Sequence, residues 1–103
     1  MKLNNIEKLF EGKAVLKEGV FLLKWSDAIG FIDECETQKI KILGVDAFFF
    51  DEKFIKPSLE HSVDFTGKSY TKKDVSNYDY ARRLIEKEKD MYFEIVIDSP
   101  EIE

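Results

Sequence analysis

The stretch from Ile40 to Phe50 constrains the fold more than any other. From Ile42 to Phe50 every residue except Gly44 and Asp46 is apolar. Alternation puts Ile42, Gly44, Asp46, Phe48 and Phe50 on one face of a strand, and Leu43, Val45, Ala47 and Phe49 on the other. A strand apolar on both faces has to be covered on both sides, so this one is expected at the centre of a sheet. Asp51-Glu52-Lys53 is a polar connection, and Phe54 and Ile55 resume the apolar run. A hairpin with a second strand over 53–57 is the simplest reading. Pro57 cannot donate to a ladder, which makes that strand short or an edge.

The remaining periodicities place helices around this strand. Ile6, Leu9 and Phe10 recur at helical spacing behind Asn4 or Asn5, and Gly12 is expected to end that helix. A second helix is expected over 26–38, capped by Ser26, with Asp27 in its first turn. Its apolar stripe is Ala28, Ile29, Ile32 and Cys35, with Phe31 at the border. Thr71 to Asp74 has capping-box spacing, and Val75, Tyr78, Ala81, Leu84 and Ile85 continue a third helix over 72–89. Met91, Phe93, Ile95 and Ile97 alternate with more polar neighbours in a strand over 91–98. Residues 58–70 read as irregular. Residues 13–24 are open between a helix, an irregular segment and a short strand. The expectation is an α+β fold: one domain over 1–103, with a small mixed β-sheet of about three strands and about three helices packed on it. The expected core is Trp25, Ile29, Ile32, Cys35, Leu43, Val45, Ala81, Leu84, Phe93, Ile95 and Ile97.

Charge narrows the function classes. The net charge is −5 over 103 residues. Residues 1–85 balance, with 14 basic and 14 acidic side chains, so the whole surplus lies in 86–103. That argues against general nucleic-acid binding, which needs a basic footprint. No apolar run approaches the length of a membrane span, and Lys2 to Lys8 holds no signal-peptide core. A single cysteine excludes a disulfide framework. A reduced cytoplasm is the expected compartment.

Catalytic chemistry is not visible. Cys35 sits on an apolar helix stripe, where a thiol is a small hydrophobe. His61, the only histidine, has no Cys or Ser partner at a recognised spacing. One His and one Cys make no zinc site, and the glycines stand singly, so no cofactor is expected. Asp46 interrupts an apolar strand, either hydrogen-bonded to backbone at a rim or presented to a partner.

Trp25-Ser26-Asp27-Ala28 opens a helix. Ile42-Leu43-Gly44-Val45-Asp46-Ala47-Phe48 forms the strand, Asp51 to Lys53 the turn, then come Pro57, Asp64-Phe65 and, later, Ala81-Arg82. In these elements the chain resembles the bacterial polymorphic-toxin immunity proteins grouped as immunity protein family 40. It carries Asp64-Phe65 where that family has an Asp-Asn-Trp-like element. The resemblance implies a cytoplasmic protein, not an enzyme, that binds and neutralises one cognate toxin C-terminal domain, often a nuclease delivered by contact-dependent inhibition. The expected binding surface holds Asp46, Asp51, Glu52, Phe54 and Asp64, with Glu60 at its edge. Residues 86–103 would steer the encounter. Two other readings stand beside it: a small enzyme using Asp46 and Asp64, and an interaction module that self-associates through the sheet edge near Phe54 to Pro57.

Overall fold

A two-residue loop decides the segment that the sequence left open. Glu18 (φ 53°) and Gly19 (φ 80°) both lie in the left-handed region. Lys17 pairs with Val20 across them and closes a hairpin of β1 (Val15–Lys17) and β2 (Val20–Lys24). Positive φ at both loop positions matches the right-handed twist of paired strands, and glycine supplies one of them without strain. The structure is a computed structural model and describes residues 5–50, 54–66 and 76–98. Its other elements are α1 (Asn5–Leu9), a 3₁₀ turn (Glu11–Lys13), α2 (Trp25–Thr37), β3 (Ile42–Phe50), β4 (Ile55–Asp64), α3 (Asn77–Lys87) and β5 (Tyr92–Ile97).

The class is α+β, as expected, but the sheet is larger and differently paired. Among the described residues it has five strands in the order β1-β2-β5-β3-β4, and every pairing is antiparallel. The expected mixed sheet is therefore corrected. Strands β4 and β5 run the same way, but β3 lies between them, and α3 connects the two. The hairpin strand expected over 53–57 runs on to Asp64, so Pro57 lies within it.

Helix starts also shift. Helix α2 begins at Trp25, and its N-cap is Lys24, which makes no side-chain cap bond. Ser26 therefore lies in the first turn. Helix α3 begins at Asn77, behind Ser76, whose hydroxyl accepts from the Asp79 N–H at 3.1 Å. The capping box at 71–74 lies outside the described residues.

The core lies between the sheet and the helices. Ile32, Cys35, Val45, Ala81, Phe93 and Ile95 are buried as expected, joined by Ile6, Phe21, Leu23, Phe31, Ile42, Ile85 and Met91. Trp25, Ile29, Leu84 and Ile97 pack against it only partly buried. Leu43 does not belong to it: the register slips between Ile42 and Gly44. That slip turns Ile42 to the same core as Val45 and Ala47, and Leu43 lines the surface depression described below. Burial pushes the Cys35 thiol up to about 12, with nearby Glu34 adding to it, so it stays a protonated hydrophobe.

Leu22 and Phe48, on the opposite face, are also buried. Here the β1–β2 hairpin curls over. The Lys17 ammonium lies 5.6 Å from the Phe50 ring centre, and that ring stacks 4.7 Å from Tyr92. Glu18 accepts from the Ile55 N–H at 3.2 Å, linking the first hairpin to the far edge strand. That edge is poorly suited to pairing with another chain: Ile55 has used its N–H, Pro57 has none, and 59–62 leave the ladder.

Two packing details carry predictions. A Cβ on Gly44 would sit 2.9 Å from the Val63 carbonyl oxygen of the neighbouring strand. Backbone cannot swing aside as a side chain can, so Gly44→Ala should cost about 1–3 kcal/mol in urea unfolding. Arg82 on α3 joins the two long helices. It bonds Asp33 and Glu36 on α2 and Asp79 one turn back, the Asp33 and Asp79 contacts both at 2.8 Å. The carboxylates are half exposed, so each pair is worth little alone, and the gain comes from sharing one ordered guanidinium. Arg82→Ala should lose about 1–2 kcal/mol, less at high salt. Arg82→Lys should recover only part, because an ammonium lacks the fork.

Candidate functional site

The face of β3 and β5 turned away from α2 and α3 carries the unusual charges. Asp46 pairs in register with Glu94, so two carboxylates stand directly opposite on adjacent antiparallel strands. Such neighbours repel, and the arrangement is destabilising without a cation between them. Among the described residues, no lysine or arginine forms a salt bridge with Asp46, Asp64 or Glu94. A depression of about 370 Å³ opens beside Asp46, lined by Leu43, Gly44, Val63, Asp64, Thr66 and Val96. Its lining combines the apolar Leu43, Val63 and Val96 with two acids, Asp46 and Asp64.

The acids differ in character. Burial raises the Asp46 pKa above its ordinary value, and the nearby Asp64 charge adds to this. Glu94 is raised by burial first, then by Asp46 and by Glu7 of α1. Asp64 moves the other way. The Thr66 hydroxyl donates to it at 2.5 Å and the Thr66 N–H at 2.8 Å, and both bonds hold the charged form. An Asx turn thus fixes one carboxylate as an anion, while the sheet burdens the other two.

The second feature is an excursion in β4. Val45 pairs with Val63 and Ala47 with Ser58, so residues 59–62 stand against Asp46 alone. Ser62 repairs the broken ladder. The Ala47 N–H donates to the Ser62 hydroxyl at 2.9 Å, which donates on to the Ser58 carbonyl at 2.6 Å. His61 braces the excursion: its Nδ1 lies 2.8 Å from the Ser58 hydroxyl, and its Nε2 lies 3.6 Å from Glu88 at the end of α3. His61 therefore has a serine partner at no recognised catalytic spacing, because the bulge folds Ser58, three residues back, onto it. Ser, His and Glu in line suggest a nucleophile, yet Ser58 is buried at 8% exposure, and an attacking hydroxyl must be open to substrate. The trio reads as a brace.

Of the six residues expected at the binding surface, Asp46 and Asp64 meet at the depression. Glu60 is exposed in the excursion, and Phe54 is half exposed just before β4. Asp51 and Glu52 lie outside the described residues. Glu94, assigned by sequence to the acidic steering block, stands opposite Asp46, which lines the depression. Alternation along 91–98 puts it opposite Phe93 and Ile95, but only the β3–β5 register brings it to Asp46. The block is thereby divided: Glu88 lies against His61, and Glu94 pairs in register with Asp46.

Among the described residues, no helix is long and apolar enough to cross a membrane, and no group of three or more metal-ligating side chains converges. The chain matches no family model and no curated protein.

Proposed function

We propose that this chain is an immunity protein that binds a cognate toxin domain in the bacterial cytoplasm and neutralises it. The supporting observation is the depression. Asp46 and Asp64 line it among apolar side chains, Glu94 stands opposite Asp46 in the sheet, and among the described residues none of the three has a salt-bridge cation, on a chain of net charge −5. Repulsion within a folded protein is stored cost, and a partner's lysine or arginine would relieve it on docking. Acids placed this way also offer what a nuclease binds as phosphate. The resemblance over Trp25 to Arg82 supports the same reading. The test is co-expression with the toxin domain encoded by the neighbouring gene. Cells carrying this chain should survive; cells that die despite its soluble expression would refute the reading.

One observation favours a second reading. Asp46 and Asp64 line one depression, and their pKa values are pushed apart in opposite directions, which is how acid and base roles are divided in carboxylate enzymes. Stoichiometry separates the two readings. A binder should protect up to a one-to-one ratio with the purified toxin domain. Loss of toxin activity at a small fraction of that ratio would show turnover.

A further inference from the structure

We propose that the β4 excursion is a preformed plug, with Leu59 as its anchor, for an apolar pocket rimmed by lysine or arginine on the toxin domain; this rests on the immunity reading above. A lone exposed leucine on a surface is ordinary. Leu59 is different because of what holds it. It retains 89% of its exposure, more than any other large hydrophobic residue described, on a segment that interrupts a sheet ladder. The segment is pinned by the Ser62 relay and by His61 between Ser58 and Glu88. A side chain held out by a braced loop loses little freedom on binding, so more of its burial counts towards affinity.

Charge commits the occupant. Glu60 follows Leu59, Asp46 stands against the excursion, and Asp64 lies just beyond its far end. Lys56, exposed on the near side of Ser58, is the cation of this strand. Glu60 and Asp64 thus follow the anchor along β4, and Asp46 stands across from the excursion in the ladder, which suits a basic rim.

The experiment measures binding kinetics of purified wild type, Leu59→Ala and Leu59→Met on the immobilised toxin domain from the neighbouring gene. Leu59→Ala should dissociate at least about tenfold faster with an unchanged melting temperature, and Leu59→Met should hold near wild type. Ser62→Ala, which frees the excursion, should slow association. If wild type binds and Leu59→Ala dissociates alike, the plug is refuted and the immunity reading stands. If wild type does not bind, both fall. If Leu59→Ala lowers the melting temperature, the leucine serves the fold and the plug is refuted. If wild type forms a dimer that Leu59→Ala abolishes, a second copy is the occupant and the plug is equally refuted.

Discussion

Phe93→Ala should lower the stability of the fold by about 3–5 kcal/mol, the largest loss expected from a single truncation here. Phe93 is fully buried on β5, the strand through which the two halves of the sheet are joined. It pairs with Leu23 on one side and Ala47 on the other. Ala47 cannot fill the space, and Leu23 is itself fixed in the core, so a cavity remains. Domains of this size have about 5–15 kcal/mol in total. The melting temperature should therefore fall on the order of 20 °C. Leu43→Ala is the control. A partly buried side chain lining an open depression leaves no closed cavity, and its loss should stay under about 1.5 kcal/mol. Equal losses in the two variants would overturn the placement of the core.

Asp46→Asn with Glu94→Gln should move stability and binding in opposite directions. Both carboxyls are held above their ordinary values of 3.8 and 4.5. The folded chain therefore binds more protons than the unfolded one over the interval between unfolded and folded pKa. Stability contributed by these groups falls as pH rises through that interval, and above it the fold carries the whole repulsion. Neutral amides remove it. The double variant should gain roughly 0.2–1 kcal/mol at pH 7, the scale of a cross-strand like-charge pair. The gain should vanish below about pH 4, where wild type is protonated too. On the proposed immunity reading, the same change should weaken toxin binding by about tenfold or more, or 1.4 kcal/mol. A site that costs stability when empty and gains it when filled is the usual trade at functional surfaces. A variant less stable than wild type at pH 7 would show that Asp46 and Glu94 hold the fold together.

Local pattern made some of this structure legible in sequence. Helix α2, the central strand and the strand at 91–98 follow from apolar periodicity, which burial enforces residue by residue. The first hairpin escaped because Glu18 adopts a left-handed conformation that its side chain gives no reason to expect. The run of β4 through Pro57 escaped because its pairing depends on a bulge, and the bulge depends on Ser62 replacing a backbone acceptor. The site divides the same way. Asp46 is conspicuous in an apolar strand, and Asp64 follows it into the depression. Glu94 and Leu59 were hidden because their meaning lies in register: one faces Asp46 across β3 and β5, and the other rides an excursion that only strand pairing reveals.

The claim that the acid-rimmed depression receives the toxin is tested most directly by one measurement: the dissociation rate of the neighbouring gene's toxin domain from Asp46→Asn/Asp64→Asn/Glu94→Gln, against wild type, at low and high salt. The account predicts a triple variant that folds at least as firmly at pH 7 as Asp64→Asn alone, yet releases the toxin on the order of a hundredfold faster, with most of the salt dependence gone. A triple variant that holds the toxin as long as wild type, with the same response to salt, would contradict it.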